Sequence, residues 1–314
     1  MIIVTGGAGF IGSNIVRELN ARGERDIVVV DDMTDGHKFI NLVDCDIADY
    51  WDKDLLQQHL NSTLPFKPTC VFHQGACSVT TEWDGRYMMD TNYRYSTELF
   101  EYAVENSVPF IYASSASVYG ASNEFREEPG LERPLNVYGY SKLLFDQYVR
   151  RRLGQVNSQV IGLRYFNVYG PNEAHKGAMA SIAWHLNRQI EQTGEARLFE
   201  GSDGYEAGEQ RRDFVHVDDV VSVNLWFADR PEISGIYNLG TGRAAAYNDV
   251  ARAAIEWHGK GEIVYIPFPD SLKDSYQSFT EADVGALRNA GYDAEFMDVA
   301  AGVPAYLDRL AQAK

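Results

Sequence analysis

Short apolar, β-branched runs recur at residues 2–5, 27–31, 70–73, 109–113 and 159–164, separated by longer amphipathic stretches. The runs predict strands buried on both faces, and the stretches predict helices with one apolar side. Their alternation predicts an α/β protein, a doubly wound parallel sheet whose ligands bind beyond the carboxyl ends of the strands. After Pro171 the pattern loosens into a helix over about residues 178–192 and a Gly-rich acidic stretch at 201–210, which read as a smaller α/β lobe. The run Asp213-Phe214-Val215-His216-Val217-Asp218-Asp219 predicts a strand leading into a helix capped by Asp, returning the chain to the first domain. Residues 1–167 with 213–237 are accordingly assigned to the main domain, and 168–212 with 238–314 to the lobe.

With 314 residues, 45% of them hydrophobic, burial is not limiting. Lys plus Arg number 28 against 45 Asp plus Glu, and the net charge of -17 opposes attraction to nucleic acid or anionic membranes. Cys45, Cys70 and Cys77 are odd in number and lack disulfide-framework spacing, which fits reduced thiols in the cytoplasm. Cys70, His73 and Cys77 superficially resemble a ligand cluster, but they sit on a buried strand running into a Gly turn, so no metal is expected. The chain shows no leader pattern and no apolar segment of membrane length.

The opening Thr5-Gly6-Gly7-Ala8-Gly9-Phe10-Ile11-Gly12 follows one predicted strand and starts a helix near Phe10. Gly6, Gly9 and Gly12 allow a tight turn, close approach of backbone to a pyrophosphate, and close packing of helix on sheet. Asp31 stands about twenty residues further on, where a carboxylate accepts from a ribose hydroxyl. Asp31 and Asp32 favour NAD, whereas Lys38 and Lys53 suit a 2′-phosphate, and the residues alone leave that choice open. Gln74-Gly75-Ala76-Cys77-Ser78 follows another strand and would carry its backbone past the same crevice.

Tyr138 and Lys142 stand four apart, on one face of a predicted helix, with Tyr140 facing elsewhere. A phenol titrates near 10, so a base at neutral pH needs nearby positive charge, which Lys142 is expected to supply. Ser115, in Ser114-Ser115-Ala116-Ser117, ends a predicted strand and can hydrogen-bond the substrate oxygen whose proton Tyr138 removes.

With Thr80-Thr81-Glu82-Trp83-Asp84-Gly85, Arg164-Tyr165-Phe166-Asn167-Val168-Tyr169-Gly170-Pro171 and His175-Lys176-Gly177, these motifs resemble the extended short-chain dehydrogenase/reductases of the nucleotide-sugar epimerase type over nearly the whole chain. Within them the sequence is most similar to the ADP-L-glycero-D-manno-heptose 6-epimerase family. The resemblance implies a Rossmann-type dinucleotide-binding domain with a smaller substrate-binding lobe, and Lys176 as a second acid/base. It implies cofactor contacts at Phe10, Ile11, Asp31, Asp32, Lys38, Lys53, residues 74–78, Asn92, Lys142, Val168 and Lys176. For the sugar nucleotide it implies Asn167, Ala178, His185, Phe199, Glu200, Gly201, Ser202, Arg212 and Tyr276, with Arg211 leaving the diphosphate ligand open by one position. It further implies tightly bound NADP, with NAD compatible, one per subunit of a homo-oligomer, and an ADP-heptose substrate in lipopolysaccharide core precursor synthesis.

Inverting a carbinol carbon with no acidifying neighbour requires transient oxidation, which a bound nicotinamide permits. A 4,6-dehydratase would need an Asp-Glu pair after Ser115, where this chain has Ala116-Ser117. The rivals are a UDP-hexose 4-epimerase and a non-catalytic dinucleotide-sensing regulator. The complete Ser115, Tyr138 and Lys142 set speaks against the regulator.

Overall fold

In the computed structural model, which describes residues 1–269 and 277–312, the first half of the chain alternates strand and helix. It runs β1 (Ile2–Thr5), α1 (Phe10–Ala21), β2 (Ile27–Asp31), β3 (Asp49–Asp52), α2 (Lys53–Leu60) and β4 (Cys70–His73). A long helical segment follows, α3 (Gly85–Met88) passing through a π-helical turn at Met89–Arg94 into α4 (Tyr95–Glu105), and then β5 (Phe110–Ser115), α5 (Val137–Arg152) and β6 (Val160–Tyr165).

The second half contains β7 (Asn167–Tyr169), α6 (Ile182–Thr193), β8 (Glu195–Phe199), β9 (Arg211–Arg212), β10 (Phe214–His216), α7 (Val217–Ala228) and β11 (Gly235–Leu239). It continues with β12 (Ala245–Ala246), α8 (Tyr247–His258), β13 (Glu262–Ile266), α9 (Gly285–Asn289) and α10 (Val299–Gln312).

Seven strands form one sheet in the order β11-β6-β5-β4-β1-β2-β3, every neighbouring pair parallel. Strand order reverses between β1 and β4, which opens a crevice at their carboxyl ends. The apolar runs bury both faces because successive side chains alternate. Val4, Val29 and Phe72 join α1 and α7 on one side, while Ile3, Val28, Val30 and Val71 join α2, α4 and α5 on the other. In the smaller lobe, α6, α8 and α10 pack together over the pairs β8–β13 and β7–β10.

Several expectations shift. β5 and β6 each run past their predicted ends, to Ser115 and Tyr165. The edge strand β3 was not predicted, since Asp49-Tyr50-Trp51-Asp52 buries only Trp51 and shows no apolar run. Helix α6 starts at Ile182, capped by Ser181, rather than near 178. A 3-10 turn at Ala174–Met179, broken by Gly177 at φ +53°, occupies the preceding residues. Helix α7 is capped by the His216 ring, which accepts from Asp218 N–H at 3.2 Å, not by Asp. Part of the segment assigned to the lobe belongs to the main core. Leu239, Leu287, Tyr292 and Phe296 pack on the α1–α7 side, where the Tyr292 ring meets Trp226 of α7 edge-on at 5.6 Å.

Candidate active site

At the β1 turn the glycines leave no room for side chains. A Cβ on Gly6, at φ +64°, would lie 2.6 Å from Gly75 N, and one on Gly12 would lie 2.1 Å from the Gly6 carbonyl oxygen. The β1 and β4 turns therefore touch backbone to backbone. Helix α1 carries neither a side-chain cap nor an acidic residue in its first turn, so the N–H groups at Phe10, Ile11 and Gly12 and the helix dipole favour an anion there.

At the β2 end, Asp31 is almost wholly engaged by the protein. Its Oδ2 accepts Ala8 N–H at 2.8 Å, and its Oδ1 accepts Asp32 N–H at 2.7 Å and Lys38 Nζ at 2.6 Å. Lys38 also donates to the Asp32 carbonyl, and Lys53 lies 3.6 Å from the Asp32 carboxylate. The thiol-bearing loop after β4 is held by Asn92, buried on the π-helical turn, an irregularity common at functional sites. Asn92 Oδ1 accepts Cys77 N–H at 2.8 Å, and its Nδ2 donates to the Cys77 carbonyl at 2.9 Å and to Ser141 Oγ at 3.1 Å. Gly75 N–H donates to Thr5 Oγ1 at 3.1 Å. Gln74 turns inward, accepting from the Tyr165 hydroxyl at 2.9 Å, while Ser78 is exposed.

His73 is buried with both ring nitrogens taken, by Thr5 Oγ1 at 2.6 Å and Ser96 Oγ at 2.7 Å, and burial followed by the Lys142 charge pushes it down to about 3. Among the described residues no cluster of His, Cys, Asp and Glu is arranged to hold a metal.

Tyr138 lies in the first turn of α5, whose cap Asn136 accepts Gly139 N–H at 2.8 Å. Burial pushes its phenol above the ordinary value, and a hydrogen bond with the Ser115 hydroxyl pulls against that shift. The same Ser115 Oγ accepts Ser117 N–H at 3.1 Å, so this side chain both caps the turn and meets the phenol. The expectation that Lys142 lowers the phenol is corrected here. Its ammonium donates to the Ala113 carbonyl at 2.9 Å, and burial pushes Lys142 down to about 8 against the pull of Asp146. One helical turn brings the two residues to one face, but the strand-end carbonyl takes the amine.

Lys176 sits in the 3-10 turn, half-buried, with Nζ 5.2 Å above the Phe10 ring at the start of α1. Burial pushes its ammonium below the usual lysine range, and Glu173 opposes that shift. Tyr138 thus reaches the crevice from a helix on one face of the sheet, and Lys176 from a loop resting on the helix of the other face.

Residues 2–240 match the NAD dependent epimerase/dehydratase family. The chain belongs to this family. Over its full length it is 60% identical to an ADP-L-glycero-D-manno-heptose-6-epimerase of Alkalilimnicola ehrlichii, covering 98% of that protein. The crystal structure of the Helicobacter pylori ADP-L-glycero-D-manno-heptose-6-epimerase aligns with a TM-score of 0.83 at 31% identity, over 99% of this chain and 96% of the other. A Thermus thermophilus UDP-glucose 4-epimerase in complex with NAD aligns with a TM-score of 0.80 at 26% identity, over 100% and 99%.

As a member of the NAD dependent epimerase/dehydratase family, the protein uses a nicotinamide dinucleotide, and the crevice fits one. Gly6, Gly9 and Gly12 let the β1 turn draw tight against the start of α1 and the β4 turn, and the α1 N-terminus is left without a side-chain cap. Gly12→Ala is expected to purify without dinucleotide, because its methyl group collides with backbone rather than with a movable side chain. Mass spectrometry of the denatured protein checks this, and a wild-type dinucleotide content would contradict it.

On the lobe side, Asn167 is exposed on β7 with its carboxamide oxygen 3.4 Å from Thr280 Oγ1, and Val168 packs beside the main core. Ala178 is exposed just after Gly177, and His185 lies on α6 against Trp184 at 5.0 Å. Phe199 ends β8 against Phe268 at 5.3 Å. Buried Gln210 shapes the turn at Glu200, Gly201 and Ser202, donating to the Glu200 carbonyl at 3.0 Å and to Ser202 Oγ at 3.1 Å. Arg212 is buried, its guanidinium 5.9 Å over the Tyr247 ring, whereas Arg211 is exposed and binds the Ala244 carbonyl at 2.5 Å. Tyr276 lies outside the described residues.

Sequence reasoning missed Gln210, and it missed Asn41 and the site role of Asp213. Asn41, buried, donates to the Ala8 carbonyl at 2.9 Å and to the Asn172 carbonyl at 3.2 Å, and sits 3.2 Å from His175 Nδ1. It ties the glycine turn to the Lys176 loop. Buried Asp213 collects Thr241 N–H at 2.6 Å, Gly242 N–H at 2.9 Å and Ala282 N–H at 3.0 Å, which joins three segments beside Arg212. A polar residue inside a loop pattern gives no such signal, because its partners lie far along the chain.

Proposed function

We propose that this chain inverts C6 of the heptose in ADP-D-glycero-D-manno-heptose, giving ADP-L-glycero-D-manno-heptose through a transient 6-ketone. The supporting observation is the placement of two acid/base side chains, Tyr138 and Lys176, arriving from opposite faces of the sheet. Inversion needs the oxygen's proton handled in two orientations of the C5–C6 bond, so one group cannot serve both. The sequence likeness supplies the sugar nucleotide.

The bound dinucleotide supplies hydride acceptance from C6 and hydride return to its other face. Ser115 and Tyr138 hold the oxygen in one orientation, and Lys176 meets it in the other. The shifts suit a division of labour: burial keeps the Tyr138 phenol protonated at neutral pH, fit to donate, while the lowered Lys176 ammonium is readier to lose its proton. Lys142 holds the end of β5 through the Ala113 carbonyl, two residues before Ser115. The lobe residues around Arg212 and the Phe199 turn hold the nucleotide diphosphate and sugar, and residues 1–167 with 213–237 hold the dinucleotide. The same reading makes the enzyme a cytoplasmic homo-oligomer with one tightly held dinucleotide per subunit, supplying lipopolysaccharide core precursors.

NADP is the proposed cofactor form. Asp31 spends its lone pairs on Ala8, Asp32 and Lys38, so it offers little to a ribose diol, whereas a 2′-phosphate would draw Lys38 and Lys53 from the carboxylates they pair with. Lys38→Ala should weaken NADP binding at least about tenfold and leave NAD binding nearly unchanged. Calorimetry on cofactor-stripped protein checks this, and equal loss for both forms would argue against a phosphate contact.

The function is tested by incubating the enzyme with ADP-D-glycero-D-manno-heptose and following the C6 proton by NMR. Interconversion of the two C6 epimers, without solvent hydrogen entering C6, is expected. An inert heptose together with C4 inversion of a UDP-hexose would overturn the assignment.

A further inference from the structure

Glu173 lies three residues before Lys176, is fully buried, and has no part in the chemistry described above. Its carboxylate accepts Gly170 N–H at 3.2 Å, at the end of β7, and both N–H and hydroxyl of Ser181, the cap of α6, the hydroxyl at 2.7 Å. The Tyr306 hydroxyl of α10 binds the same group. One carboxylate therefore closes the loop 170–181 at both ends, and the Lys176 turn is the part in between. Lys176 N–H donates back to the Glu173 carbonyl at 3.0 Å, which fixes the start of that turn.

We propose that Glu173 is the positioning residue of Lys176, its carboxylate fixing the loop that carries the amine and supplying the negative charge beside it. The inference rests on the proposed acid/base role of Lys176. The two oxygens accept from N–H groups at opposite ends of the loop, Gly170 on one and Ser181 on the other, so a neutral amide would turn its NH2 toward one of these donors. The carboxylate adds a charge that acts on the amine across a dry region, where screening is weak.

Burial pushes Lys176 down and Glu173 up, and each charge opposes the shift of the other. The other titratable groups facing the pair are Tyr306 from α10 and His175 beside Lys176, with Lys38, Asp31 and Asp35 beyond His175. Glu173 thus favours the charged form of the amine against burial, so that Lys176 can accept a proton in one direction of the reaction and give it up in the other.

Trace acetylation of Lys176, followed by mass spectrometry across pH, reads the amine without using activity. Glu173→Gln should lower its labelling midpoint by about one pH unit or more. It should also lower kcat about tenfold or more, with KM little changed, while Glu173→Asp recovers most of the midpoint. Coincident midpoints for wild type and Glu173→Gln would overturn the proposal.

If Glu173→Gln fails to fold, Lys176→Met supplies the converse measurement. Removing the cation pushes the buried carboxyl further up, a cost present at pH 8 and relieved as the carboxyl protonates on acidification. Lys176→Met should therefore lose thermal stability against wild type at pH 8 and regain it towards pH 5, and parallel stability curves would overturn the coupling. Full turnover by Lys176→Met would instead strike at the acid/base reading, leaving the charge coupling to be judged by labelling and melting.

Discussion

Tyr138→Phe should retain its fold and its dinucleotide but turn over about a thousandfold more slowly than wild type. The substitution removes one oxygen from a half-buried ring at the start of α5 and leaves the Ser115 turn bond and the Lys142–Ala113 bond in place. What disappears is the proton carried on the phenol. Because burial pushes that phenol above its ordinary value, it is protonated throughout the neutral range, and the Ser115 hydroxyl that meets it is a much weaker acid. Initial rates by NMR and dinucleotide content by mass spectrometry separate chemistry from binding. Near-normal turnover with intact dinucleotide would remove Tyr138 from the reaction.

The second large effect is on stability. Arg164 of β6 is fully buried, its Nε 2.9 Å from Asp146 of α5 and its other end on Glu132, which Arg150 also grips at 2.5 Å. Asp146 receives the hydroxyls of Tyr112 and Ser114 as well, both at 2.9 Å. Arg164→Met fills most of the space but leaves Asp146 buried without its cation and Glu132 with Arg150 alone, at a cost of about 3–5 kcal/mol.

The pH dependence identifies this cause. In wild type the arginines overcome burial and hold Glu132 below the usual carboxylate value, so its stabilisation is present above that value and fades as pH falls through the lower one. In Arg164→Met the buried network carries one positive charge fewer against the same two carboxylates, and acidification towards pH 5 should recover part of the loss. Urea unfolding at pH 7.5 and 5 checks both signs, and a loss under 1 kcal/mol at both would show that the network contributes little. Since Ser114 adjoins Ser115 and Lys142 is one turn from Asp146, a fall in kcat should accompany the loss of stability.

Strands β1, β2 and β4 were legible because an unbroken apolar run is a local signal, and the start of α1 because glycines cluster there. β3 was not legible, since an edge strand can be polar on nearly every position. The pairing of Tyr138 with Lys142 was read correctly as one helical face, but the electrostatics drawn from it were not. A carbonyl 29 residues away in sequence, Ala113, competes for the amine, and Ser115 takes the place expected for the cation. Asp31 was read as a cofactor ligand from its spacing alone, and the fold adds what that spacing could not carry, its hydrogen bonds with Ala8 and Lys38.

Periodicity and spacing along the chain suffice for the layered sheet, the glycine cradle and the chemical types available, because each depends on neighbours within a few turns. Which proton-carrying group meets which partner was settled by the groups the fold closes on it: the Ala113 carbonyl on Lys142, Gly170 and Ser181 on Glu173, the Phe10 ring under Lys176. Burial and charge separation set how readily those groups give up a proton, and both exist only once the two halves of the chain have packed together.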